Sequence, residues 1–198
     1  MKRSIWISLL LIVALGFTGC MKMDCGCDQD HDRDHDPHMI MRTPVLFQYE
    51  YYNYAWGFRH HGFLIDNQGR IKGFSQPEKW IATDSTGLLT EADLRYNLAQ
   101  CDTVCGSVNK ADLDLYFSRI KDIRTGEIVD NGLVMADAGT GVLSAWYWNE
   151  KAQKFENVFL MSNGDYNKVN NHPEVKELVA WLKWIGEKTD RFYWYGGE

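Results

Sequence analysis

Apolar and polar positions divide the chain into three stretches. Ile5–Phe17 is an almost unbroken apolar run. Residues 28–38 contain no hydrophobic residue at all. From Thr43-Pro44 onward short periodic patterns take over. Val45, Phe47, Tyr49 and Tyr51 alternate with Leu46, Gln48 and Glu50, which predicts a strand with one buried face. The aromatic set then changes phase to Tyr52, Tyr54, Trp56 and Phe58. A period of two cannot change face without an extra residue, so a bulge or break is expected near Tyr51-Tyr52.

Gly62–Ile65 and Arg70–Phe74 flank Asp66-Asn67-Gln68-Gly69, whose residues suit a tight turn, and read as a hairpin. Leu143–Trp148 and Phe155–Met161 read as a second hairpin around residues 149–154. Three helices are legible. Thr90 caps one that runs to about Gln100, with Asp93 three residues on, and Asn109 caps another with Asp112 placed likewise. Pro173 suits a first helical position, and Val175, Leu178, Val179, Leu182 and Ile185 form one stripe that Trp181 and Trp184 should widen. Strands, helices, strands and a last helix predict an α+β fold: a mainly antiparallel sheet with about three helices, one domain over residues 43–198.

Composition narrows the choices. Aromatics are 14% of the chain, enough to build a dense core from few strands. The formal net charge is −6, and removing residues 1–19 would take away two cations and no acid. That balance argues against nucleic acid, which is read through basic patches, and against adhesion to anionic lipid through surface charge.

The first twenty residues carry the most specific motif. Met1-Lys2-Arg3 is a basic start, the apolar run is shorter than the roughly 20 residues a membrane span requires, and Phe17-Thr18-Gly19-Cys20 closes it with small residues before a cysteine. This pattern resembles the lipobox of bacterial lipoproteins, although Phe17 stands where that family usually has Leu. The resemblance implies a signal peptide over 1–19, cleavage between Gly19 and Cys20, and a diacylglyceryl and an N-acyl group on Cys20. It places the mature protein in the cell envelope, anchored to a membrane, expected to be the outer membrane, by its lipid. Two or more acyl chains suffice for stable anchoring.

Residues 20–42 read as a lipidated, disordered tether. Asp28, Asp30, Asp32, Asp34 and Asp36 recur at every second residue, so the stretch cannot bury enough surface to fold. It suits a solvated, self-repelling spacer. Acids soon after the lipidated cysteine also resemble signals that send some lipoproteins to the outer cell surface. The sharper reading is a divalent-metal site using His31, His35 and His38 with the carboxylates. An EF-hand loop is excluded, because its Gly and terminal Glu are missing.

An exported protein meets an oxidising compartment, which predicts a disulfide between Cys101 and Cys105. Cys25 and Cys27 lie in the tether.

No G-x-S-x-G, H-E-x-x-H or phosphate-binding glycine loop is present. Glu78, Asp84, Glu91 and Asp93 offer carboxylates, yet nothing in their spacing selects a catalytic pair, and capping and solvation account for them. His60 and His61 suit the end of a strand better than a metal. Tyr52, Tyr54, Trp56, Trp146 and Trp148 are the candidate ligand-binding residues, because the aromatics exceed what one sheet face hides. The expected function is a lipid-anchored envelope module that binds a protein partner or glycan without catalysis. An envelope hydrolase with carboxylates or histidines converging in the fold is the alternative, and metal binding by the tether is a third.

Overall fold

A computed structural model describes residues 37–192, the side chains from residue 39. Cys20, Cys25, Cys27, His31 and His35 lie outside these residues. His38 contributes only backbone, to α1 (Pro37–Arg42).

The chain then runs β1 (Val45–Asn53), β2 (Arg59–Asp66), β3 (Arg70–Ser75), β4 (Leu88–Leu89), α2 (Glu91–Ala99) and β5 (Thr103–Ser107). It continues through α3 (Lys110–Ser118), α4 (Ile120–Ile123), β6 (Ile128–Leu133), β7 (Thr140–Asn149), β8 (Lys154–Gly164), β9 (Tyr166–Asn170) and α5 (Val175–Gly186). The strands form one nine-stranded sheet in the order β5-β3-β2-β1-β7-β8-β9-β6, with β4 beside β8. Every pairing is antiparallel, so the protein is α+β as its patterns predicted.

All three predicted helices form, α2 and α3 where their caps stand and α5 two residues later than Pro173 suggested, with no side-chain cap. Thr90 and Asp93 complete a capping box on α2, each satisfying a backbone N–H of the other. The Asp112 N–H donates to Asn109 Oδ1 at 2.8 Å and starts α3. α5 begins at Val175, after a turn through Pro173 and Glu174. Trp181 packs into the core, whereas Trp184 is 52% exposed under Lys188. α1 and α4 are further short helices. Ile40 of α1 is buried and Met39 packs beside it, so the folded unit starts ahead of residue 43.

One sheet face meets α3, α4 and α5. Phe47, Tyr49, Phe63, Leu143 and Leu160 pack there against Phe117, Ile123, Leu178, Trp181 and Leu182. Phe47 touches Phe117 and Trp181 edge-on, with centroids 6.1 and 5.4 Å apart. The other face buries Leu64, Trp146, Trp148 and Phe155 under α2 and the segment around Trp80. β1 therefore has two buried faces rather than one.

The break expected at Tyr51-Tyr52 is not there. The register with β2 runs on through Tyr51↔His61, Tyr52↔His60 and Asn53↔Arg59. The aromatic pattern changed phase because Tyr49 and Tyr51 serve one face and Tyr52 the other, with no change of backbone geometry. The irregularity in β1 lies instead between Val45 and Phe47.

Cys101 and Cys105 are free thiols, and the expected disulfide is not formed. Cys101 packs on the cluster beneath α2, and Cys105 on the cluster beneath the other helices. A bulge between Ile71 and Lys72 in the β3–β5 register falls at Cys105. Burial pushes the Cys101 thiol up to about 12.

Candidate functional site

α2 and the segment around Trp80 cover only part of their sheet face. The rest, toward the end of β1, the start of β7 and the paired strands β6 and β9, forms an open groove. A cavity of about 280 Å³ lies at its inner end, between Glu50, Tyr52, Ser144 and Trp80. A second of about 700 Å³ continues outward past Tyr54, Asp130, Asp137, Asp165, Tyr166 and Lys168. Tyr52 and Val142 line both, so the two are contiguous.

The floor follows from strand alternation, which sends Gln48, Glu50 and Tyr52 of β1 to this face. Its polar groups are paired among themselves. The Trp146 indole N–H donates to Gln48 Oε1 at 2.8 Å, and the Asn157 amide donates to Ser144 Oγ at 3.1 Å. Glu50 Oε1 lies 3.3 Å from His60 Nε2. Burial first, then the carboxylate of Glu50 and the phenol of Tyr54, raises the pKa of Tyr52, so its hydroxyl stays protonated as a donor.

The outer walls are carboxylates set against aromatic rings. Lys168 Nζ sits 2.8 Å from Asp130 Oδ2, and with the Gly132 N–H it holds the Asp130 carboxyl below its usual range. Asp165 Oδ1 accepts the Ala138 N–H at 2.8 Å. Tyr54 and Tyr166 rise on either side, 73% and 51% exposed.

This end of the sheet is laced together. The Tyr51 hydroxyl donates to Ala138 O at 2.8 Å, and Asn53 Nδ2 donates to Asp137 O at 3.1 Å. Asn53 Oδ1 accepts the Ala55 N–H, turning the chain into the exposed tip at 54–58. Gly164, at φ +121°, passes so close to Gly139 that a Cβ would lie 2.0 Å from its carbonyl oxygen. No side chain fits there.

No protein-family model, no curated protein and no solved structure matches the chain. What the groove can hold follows from its own walls.

The five aromatic residues singled out in the sequence do not form one surface. Tyr52 and Tyr54 line the groove. Trp146 is 1% exposed and belongs to the floor. Trp148 is buried against Phe155, with the Arg42 guanidinium 4.8 Å over its ring. Trp56 is 76% exposed, but it lines a separate cavity of about 460 Å³ with Arg59, His61 and Arg191. Burial there, with His60, Arg191 and Arg59 adding to it, holds His61 down at about 4 and therefore neutral.

His60 is packed between Phe74 and Trp80, with centroids 5.0 and 5.1 Å away. Among the described residues no three His, Cys, Asp or Glu side chains converge as metal ligands. Asp84 and Asp93 each bond a neighbouring threonine. The groove's Asp130, Asp137, Asp165, Tyr166 and Lys168 escaped the sequence reading. The signal was Asn163-Gly164-Asp165, a turn after the β8 pattern, with Tyr166 and Lys168 then falling two apart on one face.

Proposed function

We propose that this protein is a lipid-anchored component of a bacterial cell envelope whose groove binds a glycan chain without cleaving it. One observation carries the reading. An open, contiguous groove crosses a sheet face, floored by hydrogen-bonding side chains and walled by Tyr54, Tyr166 and three aspartates. Tyrosine rings offer rigid apolar area to the faces of sugar rings and a hydroxyl at the edge. Carboxylates and amides accept and donate along the hydroxyl rim of such a chain.

Binding is favoured over hydrolysis because three of the groove's four carboxylates, all but Asp137, are already engaged. Asp130 is held by Lys168, Asp165 by a backbone N–H and Glu50 by His60. A glycosidase of the usual kind instead needs an acid and a base, or an acid and a nucleophile, flanking one bond.

The envelope address rests on Phe17-Thr18-Gly19-Cys20. No helix among the described residues is long and apolar enough to cross a membrane. Cells fed a clickable fatty acid should label the wild-type protein, and Cys20→Ser should abolish the label. An unlabelled wild-type protein overturns the anchor.

Glycan binding is tested with the Cys20→Ser chain on purified peptidoglycan and envelope polysaccharides. Tyr54→Ala and Tyr166→Ala should each weaken retention by about five- to tenfold, the scale of a lost aromatic contact of 1 kcal/mol or more. Unchanged retention in the double variant removes the groove from the account. Release of soluble fragments assigns the groove to a hydrolase.

A further inference from the structure

Another concavity lies on the sheet face opposite the groove, between β9 and α5. Met161, Val169, Val175, Val179 and Ala180 make its apolar wall, and it encloses about 630 Å³. Val129 on β6 pairs with Val169 in register, so its side chain shares that face and extends the apolar surface outward. Val129 is partly exposed there.

The rim carries two cations, Lys176 and Lys183, and no acidic residue lines it. The nearby carboxylates of Glu174, the residue before α5, and Glu177, in its first turn, face elsewhere. Arg119, at the junction of α3 and α4, draws Glu177 to its Nη1 and holds Glu174 3.8 Å from its Nε. Lys176 has no ion-pair partner among the described residues. Lys183 is half-buried, and that burial lowers its pKa despite the opposing field of Glu187. An ammonium short of water beside an apolar wall gains more from an anion than a fully hydrated one does.

We infer that this trough binds a single long-chain carboxylate, its hydrocarbon tail along Val169, Val179 and Ala180 and its head between Lys176 and Lys183. The charge of the rim selects an anion, and the wall selects a hydrocarbon. The site shares no residue with the groove on the other face and does not depend on the glycan reading.

The full chain carrying Cys20→Ser, so that no lipid of its own competes, is titrated with laurate below its micellar concentration. Dodecyltrimethylammonium, with the same tail length and the opposite head, is titrated in parallel. Laurate should bind at one per chain, and the cation at least tenfold more weakly. Decanoate, two methylenes shorter, should bind about fifteenfold more weakly than laurate, since each buried methylene is worth about fourfold.

Ala180 is exposed on α5, so Ala180→Trp plugs the trough without entering the core, and it should cost tenfold or more in laurate affinity. Lys176→Gln with Lys183→Gln keeps the wall intact, and should remove the preference for laurate over the cation. Circular dichroism verifies that both variants fold. Laurate binding that ignores Ala180→Trp, equal binding of the two heads, or no binding at all overturns the inference. A dimer that dissociates in Ala180→Trp, with no laurate bound, also overturns it and gives the trough to a second copy of the chain.

Discussion

Trp146→Ala should lower the free energy of unfolding by about 4 kcal/mol, near the upper end for truncating a buried aromatic. The indole is 1% exposed in the middle of β7 and shares its cluster with Leu64, Leu94 and Phe155. Alanine would leave a cavity that the flanking ladders with β1 and β8 prevent from collapsing. It would also strip Gln48, itself buried, of the N–H donated to its Oε1. An orphaned buried acceptor costs about 1–3 kcal/mol. Trp146→Phe separates the two effects, keeping most of the apolar volume and losing only the bond. Since domains of this size are stable by about 5–15 kcal/mol, the alanine variant should sit near the edge of folding. Urea titrations at constant slope measure both changes. Trp184→Ala, on an exposed ring, is the control. A midpoint shift for Trp146→Ala no larger than the control's contradicts the floor described here.

Gly62→Ala should be as damaging, for a different reason. Gly62 lies in the middle of β2, paired with Glu50 on β1 and Phe74 on β3. A Cβ at that position would sit 2.0 Å from the Tyr49 carbonyl oxygen. The oxygen is backbone and the Cβ is fixed by the backbone it grows from, both held in ladders, so no side-chain rotation relieves the overlap. Strands β1 and β2 would have to part locally, losing ladder bonds and opening the packing of Tyr49 on Phe63, now 5.6 Å apart. A loss of about 4 kcal/mol or more, or failure to fold, is the expected result. Soluble yield and melting temperature, compared with Ser75→Ala at an exposed position on β3, measure it. A melting temperature matching that of the control is inconsistent with this strand spacing.

Local chemistry explains which elements were legible from sequence. Thr90 with Asp93 and Asn109 with Asp112 announce helix starts because the capping bonds form within four residues. Asp66 does the same for its turn, accepting the N–H groups of Gln68 and Arg70. The stripe on α5 is legible because one face of that helix is buried and the other is not. β1 misled because alternation reports a difference between two faces, and both of its faces are buried.

The groove was the least legible part. Tyr52 and Tyr54 stood out, but their opposite wall is carried by β6 and β9. Ile128–Leu133 is exposed along almost its whole length and contains an irregularity between Asp130 and Leu133. Such a strand shows no period of two. Only the sheet order, which returns β9 and then β6 beyond β8, brings Asp130, Tyr166 and Lys168 across from Tyr54.

The placement of α1 has a mechanical consequence. Ile40 is packed in the core, and Asn67, at the β2–β3 turn, donates its amide N–H to Met41 O, so the chain enters the fold at the β2–β3 end. The outer groove opens at the far end of β1. Under the proposed function, a pull between a membrane attachment upstream of residue 37 and a polymer gripped at Tyr54 would load β1 lengthwise. Its hydrogen bonds to β2 and to β7 run across that direction, so they would be sheared together rather than peeled apart one at a time. A strand loaded this way resists extension far better than a hairpin pulled from its open end.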